Sequence, residues 1–175
     1  SMIHLNFCCF FIKLFCKMDS NENYLKQDFL DTEIPFIAVP TTAGTGSEST
    51  RYAVIYYNDE KQSVTHDSIV PNYAVLDSLL LKTLPLYQKK CAMLDALCQG
   101  IESWWSVNST DESKEYSKMA VETIMQNWRQ YIFEENEQAA EQIILGSNYA
   151  GRAINITQTT APHAFSYKLT SLFGI

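Results

Sequence analysis

The sequence predicts a chain of two unlike parts, an α/β part followed by an all-helical part, meeting near Pro85. Three observations carry that prediction. Up to about residue 78, short runs rich in β-formers are broken by glycine, proline and polar turns. From residue 86 onward, apolar residues recur three and four positions apart, the period of a half-buried helix. Strands gathered first and helices afterwards describe two lobes, residues 1–84 and 85–175, rather than one alternating sheet.

Taken in order, HLNFCCFFIKLFC near the start is apolar and aromatic, but Lys13 interrupts it and it is too short to span a bilayer. It also lacks the basic n-region and small-residue cleavage site of a secretory signal. The polar stretch 19–33 reads as a loop or short surface helix. IPFIAV (34–39) is a buried strand, bounded by Pro40 and the glycine-rich TTAGTGSEST. TRYAVIYYN (50–58) is a second strand with NDEKQ as its turn, and YAVL (73–76) is the clearest of the short extended pieces around Pro71. A helix is expected over 86–106. A capping box of Ser109 and Glu112 opens another over about 110–132, with Tyr116, Met119, Ala120, Thr123, Ile124 and Tyr131 on its apolar stripe. A third carries Ala139, Ala140, Ile143, Ile144, Ser147, Ala150 and Ile154. The fourth begins near Ala161, with Pro162 in its first turn.

Composition narrows the function. Of 175 residues, 46% are hydrophobic and 13% aromatic, enough for a real core. The formal charge is −7 and no basic stripe appears, which argues against nucleic acid as a partner. Five cysteines without zinc-type spacing suit a reduced, cytoplasmic protein, with Cys98 expected in the core of its helix.

Two places can carry chemistry. In PTTAGTGSE (40–48), glycines let successive N–H groups point one way while Thr and Ser hydroxyls add donors, as in phosphate-cradling loops. It is neither a Walker A loop nor GxGxxG, and an ordinary strand-to-helix loop is the plainer reading. Lys61 follows closely enough to reach a phosphate, although a solvated turn lysine explains it as well.

The second place is LDALCQGIESWW (94–105). Asp95, Gln99 and Glu102 share one helical stripe while Leu94, Leu97, Ile101 and Trp105 crowd the remaining surface, so the stripe is expected to look into protein. Asp95 and Gln99 stand one turn apart, as metal-binding pairs on a helix do, though the second member is more often His. With His163 from the fourth helix, the donors suit Fe²⁺, Zn²⁺ or Mn²⁺. A hydrogen-bonded Asp–Gln pair and a lone core histidine is the plainer reading. Trp104 and Trp105 read as core and helix-packing surface, Glu102 as a local cap or pair, and His66 as a turn residue.

Together, IPFIAVPTTAGTGSEST, YAVLDSLLLKTLP, MLDALCQGIESWWS and APHAFSYKLTSLFGI resemble the iron-containing (group III) alcohol dehydrogenase family, in the manner of its phosphonoacetaldehyde-reductase-like members, over residues 11–175. The TTAGTGSE loop and the APH helix fit this family better than glycerol dehydrogenases or dehydroquinate synthases. The resemblance implies the C-terminal part of a Rossmann-like nucleotide-binding domain followed by the start of a helical metal-binding domain, a dehydroquinate synthase-like architecture. It implies that Thr41, Thr42, Gly44 and Thr45 contact NAD or NADP, with Lys61 a weaker candidate, and that Asp95 and His163 are metal ligands. Gln99 stands where the family has a second histidine ligand, Tyr167 where many members have a further histidine, and the last ligand falls beyond Ile175.

The implied reaction is reversible hydride transfer between NAD(P)H and a small aldehyde or alcohol, assisted by iron or alternatively zinc. No catalytic residue is assigned. In that family a GGGS-type loop and several βα units precede the matched stretch, so a fragment is expected. FIKLFCKMDSNENYL is similar to the helix that follows that loop. The competing expectation is an inactive remnant that acts as an association module, by homo-oligomer formation or partner binding through open sheet edges.

Overall fold

The computed structural model describes residues 35–57 and 60–173. The aromatic and cysteine-rich start, the stretch 19–33 and the helix expected within 11–25 lie outside them. Strand β1 (Ile37–Ala38) pairs in parallel with β4 (Tyr73–Ala74), Ile37 opposite Tyr73 and Ala38 opposite Ala74. Asn72 fixes this register: its side-chain oxygen accepts from the Phe36 N–H at 2.7 Å, and its own N–H donates to the Phe36 carbonyl at 2.9 Å. Ala38 turns inward and Ile37 outward, the alternation that a strand with one covered face requires. Both strands are shorter than the expected IPFIAV and YAVL runs.

Between them, β2 (Tyr52–Tyr57) and β3 (Glu60–Thr65) form an antiparallel hairpin. This corrects the turn expected over NDEKQ, because Glu60, Lys61 and Gln62 belong to β3 and Lys61 pairs with Tyr56. Ladder hydrogen bonds and cross-strand partners outweigh the weak β-propensity of Glu, Lys and Gln. After His66, whose Nδ1 accepts from the Ser68 N–H at 3.2 Å, the chain makes a 3-10 turn at Asp67–Ile69 and a second at Ser78–Leu81, buried at Leu81.

Four helices follow: α1 (Leu86–Trp105), α2 (Asp111–Phe133), α3 (Glu137–Thr157) and α4 (Ala161–Phe173). Each matches its predicted span within a few residues. The capping box of α2 is Thr110 with Ser113 rather than Ser109 with Glu112. Thr110 Oγ1 accepts from the Ser113 N–H at 3.1 Å, and Ser113 Oγ accepts from the Thr110 N–H at 2.9 Å. A serine hydroxyl thus satisfies the orphan donor that a glutamate was expected to meet, one residue later. Asn136 caps α3 through the Ala139 N–H at 2.8 Å.

Helix α3 forms the centre. Of its predicted stripe, Ala139, Ile143, Ile144, Ser147, Ala150 and Ile154 are buried and Ala140 is half-buried, and Asn148, Gly151 and Ala153 are buried beside them. The inner face of α1 is built from small residues, Ala92, Ala96, Gly100 and Ser103, so α2 and α3 approach closely. Fully burying Ile124 and Ile143 contributes about 1.5–3 kcal/mol each. Among the described residues, no helix is long and apolar enough to cross a membrane.

Two expectations fail on α1. Trp104 and Trp105, read as core and helix-packing surface, are exposed, Trp105 at 61%, and Cys98 is exposed rather than in the core. Leu94 and Ile101 also lie outside. Small residues occupy the helix contact and the turn into α4 covers the polar stripe, so the bulky side chains are left outside.

Candidate metal and nucleotide site

Helix α3 ends at Gln158, whose positive φ of 65° turns the chain sharply toward α4. That turn delivers Thr160 and His163 onto the polar stripe of α1. Glu102, 2% exposed, is the anchor: Oε2 accepts from the Thr160 N–H at 2.6 Å and from Thr160 Oγ1 at 2.9 Å, while Oε1 lies 2.5 Å from His163 Nδ1. On the other edge of the ring, His163 Nε2 lies 3.2 Å from Asp95 Oδ1. Gln99 Nε2 donates to Asp95 Oδ2 at 3.2 Å. The buried Gln99 Oε1 has no hydrogen-bond partner among the described residues.

The imidazole is therefore gripped by two carboxylates. Burial by itself would lower its pKa, but the hydrogen bonds and charges of Asp95 and Glu102 outweigh it and raise the value above 6.5. Burial, with the charges of Asp95 and Glu102, also pushes the Cys98 thiol up, which makes it a poor nucleophile at neutral pH.

The arrangement passes a chemical test for a divalent metal. A metal-ligating histidine donates its second ring N–H to a carboxylate, as His163 Nδ1 can to Glu102. That leaves Nε2 beside Asp95. Among the described residues no three His, Cys, Asp or Glu side chains gather to hold an ion, since Glu102 meets the opposite edge of the ring. A third protein donor must come from another residue type, and Gln99 Oε1 is a buried oxygen left without a partner among the described residues.

The glycine loop seats against the same helix. A Cβ on Gly44 would lie 2.8 Å from the Ala92 carbonyl oxygen, so a glycine there lets the loop touch α1. Ala92 is three residues before Asp95, about 4.5 Å along the helix axis. Gly46 has φ +57°, and a Cβ on it would lie 2.5 Å from Gly151 Cα on α3. Both glycines thus serve helix contact. Thr41 is exposed, Thr42 half-buried, and Thr45 Oγ1 accepts from the Ser47 N–H at 3.3 Å. Lys61 lies in β3; its side chain and that of Tyr167 lie outside the described residues.

Sequence reasoning missed two buried contacts. Glu102 pairs with Thr160 and His163, 58 and 61 positions away, rather than locally. Glu48 accepts from Asn148 Nδ2 at 2.9 Å, and Asn148 Oδ1 accepts from Arg152 Nε at 3.0 Å, which ties the loop to α3. Glu102 could have been found as the third member of the stripe; nothing in the spacing signals the Glu48 partner.

A glycine loop backed onto a helical bundle, one turn from a carboxylate–imidazole pair, defines the class: a loop-and-bundle fold with a polar site along α1. Residues 11–78 match the family described as iron-containing alcohol dehydrogenase, and residues 90–175 match the Fe-containing alcohol dehydrogenase family, C-terminal. The chain belongs to the iron-containing alcohol dehydrogenase family. It is 38% identical over 143 residues to the phosphonoacetaldehyde reductase of Streptomyces viridochromogenes, a match covering 79% of this chain and 36% of that protein.

Among solved structures, it resembles the sulfoacetaldehyde reductase of Bifidobacterium kashiwanohense in complex with NAD⁺, with TM-score 0.85 and 29% identity over 93% of this chain and 45% of that one. An iron-containing alcohol dehydrogenase of Thermotoga maritima gives TM-score 0.78 and 32% identity over 88% of this chain and 42% of that one. The chain thus spans between about a third and a half of the length of these relatives.

Proposed function

We propose that this chain carries part of the active site of an NAD(P)-dependent oxidoreductase that interconverts a small alcohol and its aldehyde by hydride transfer. The observation that carries the reading is the Asp95–His163–Glu102 grip, with the orphaned Gln99 oxygen beside it. Asp95, His163 and Gln99 would hold a divalent metal, iron first and zinc as the alternative. When bound, it supplies Lewis-acid polarisation of the carbonyl and stabilisation of the alkoxide.

The chain's own residues do the rest. Glu102 holds His163 by Nδ1 and so keeps Nε2 aimed at Asp95. Thr160 fixes the other oxygen of Glu102, and Trp105 Nε1 donates to Thr160 Oγ1 at 3.3 Å. Thr41, Thr42, Thr45 and the Gly44 backbone, with Lys61 from β3, would contact the dinucleotide. Gly44, pinned at Ala92, keeps that loop about one turn from Asp95. We assign residues 1–84 to a partial Rossmann-like nucleotide domain and 85–175 to a partial helical one, in a dehydroquinate synthase-like arrangement. A reduced cytoplasmic setting belongs to the same reading.

A second reading, an association module that forms a homo-oligomer or binds a partner, is favoured by the exposed Phe165, Leu172 and Phe173 of α4. Elemental analysis of the purified chain beside Asp95→Ala separates the two. The oxidoreductase reading expects stoichiometric iron or zinc, lost in the variant. A folded chain without metal, even after iron or zinc is supplied, removes it and leaves association.

A further inference from the structure

Gln99 is the one group of the site whose hydrogen-bonding capacity is left over. The residue is 4% exposed, its Nε2 is engaged by Asp95, and its Oε1 meets no donor among the described residues. A buried carbonyl oxygen without a partner is costly. Exchanging the two amide atoms does not cure this. The oxygen would then face the Asp95 carboxylate, and two acceptors repel unless a cation lies between them. In that exchanged orientation a cation held jointly by Asp95 and Gln99 removes the repulsion and gives the amide oxygen its partner. His163 Nε2, 3.2 Å from Asp95 Oδ1, is the group beside them able to complete such a set.

Resting on the reading that Asp95 and His163 hold a divalent ion, we propose that Gln99 Oε1 is the third protein donor and sets the metal preference of the site. Two oxygens and one imidazole nitrogen make a harder donor set than one oxygen and two nitrogens. Zn²⁺ binds most N/O sites more tightly than Mn²⁺, and that order holds here. What Gln99 does is narrow the gap, so that Mn²⁺ and Fe²⁺ compete with Zn²⁺ better than at an imidazole-rich site. Nothing on α1 compensates for a change at this position: Asp95 is already shared with His163, and Glu102 is committed to Thr160 and the far edge of the ring.

The test is competitive titration of the full chain with Mn²⁺ and, separately, Zn²⁺ against a chromogenic chelator. Wild type, Gln99→His, Gln99→Leu and Asp95→Ala are compared, with folding of each checked by circular dichroism. Gln99→His is expected to tighten Zn²⁺ about tenfold or more while Mn²⁺ changes by less than about threefold, as an imidazole in place of an amide oxygen requires. Gln99→Leu, which keeps the bulk and removes the oxygen, is expected to weaken Mn²⁺ by about tenfold or more, the scale on which even supporting contacts to a metal act.

Unchanged Mn²⁺ affinity in a folded Gln99→Leu overturns the proposal whatever the histidine variant does. If Asp95→Ala still abolishes binding in that case, the metal reading survives without Gln99. A folded wild-type chain that binds neither ion removes the metal reading and this proposal together.

Discussion

The glycine loop and the polar stripe of α1 meet the same helix within one turn, yet they are held in opposite ways. The loop is held by shape: Gly44 against Ala92 and Gly46 against Gly151 leave no room for a single methyl group. The stripe is held by charge and hydrogen bonds, and one acceptor there remains unsatisfied. The difference teaches where chemistry can enter. A segment packed to contact is a fixed wall, whereas a buried acceptor without a donor is a place for something else to bind.

Substitution should separate the two regions, and the largest effect belongs to the loop. Gly46→Ala imposes a left-handed backbone on a Cβ residue and drives that Cβ into Gly151 Cα. The expected loss of stability is about 3–5 kcal/mol, combining backbone strain with overpacking. Urea unfolding measures it, and an unshifted midpoint would mean that the loop is not seated on α3.

On the stripe, Glu102→Ala leaves the Thr160 N–H and His163 Nδ1 without their acceptor. A loss of roughly 2–4 kcal/mol is expected from the unpaired buried groups. Glu102→Gln should cost clearly less, because its amide oxygen still accepts from Thr160. Equal costs for the two variants would show that the carboxylate charge, and not the hydrogen bond from Thr160, holds the grip.

Most of the helical half was legible because its information is periodic. The stripe of α3 reads directly from Ala139, Ile143, Ile144 and Ile154, and all four are buried. The α1 polar stripe was legible as a face and His163 as a companion of Asp95, but the hold of Glu102 on Thr160 and His163 was not, since it depends on the turn at Gln158. The same gap explains the misreading of Trp104 and Trp105. Periodicity reports which residues share a face; the bulk of the neighbouring helices decides which face is covered. Lys61 was misjudged for a related reason: composition marks a turn, but the register of β2 with β3 is set by pairing.

A third, smaller effect concerns the link between loop and bundle. Burial raises the Glu48 carboxyl above its usual 4.5, against the lowering pull of the Asn148 hydrogen bond and the Arg152 charge. With the folded pKa above the unfolded one, the folded state holds the extra proton. Glu48 therefore contributes most below pH 4.5, and its contribution falls as pH rises through the folded value. Glu48→Gln, which can still accept from Asn148, should flatten that part of the stability profile and match the wild type best at low pH. Chemical denaturation between pH 4 and 8 gives the comparison. A slope unchanged by the substitution would assign the link to shape alone, like the rest of the loop.

The smallest effect falls one position from the stripe and tests where it stops. Cys98 lies between Leu97 and Gln99 but is exposed, while Gln99 is buried. Replacing a surface thiol by a hydroxyl of similar size should change stability by no more than about 0.5 kcal/mol. A core thiol would respond differently, since the hydroxyl would then be buried without a partner at about 1–3 kcal/mol. The thiol also feels the stripe through space: burial and the charges of Asp95 and Glu102 keep it protonated, so iodoacetamide should label it more slowly at pH 7 than a free cysteine. Small cost with slow labelling means that Cys98 stands at the edge of the buried face, its thiol partly shaded and within the field of the stripe but outside its contacts. A large cost would move the edge of the buried face by one residue and return Cys98 to the core.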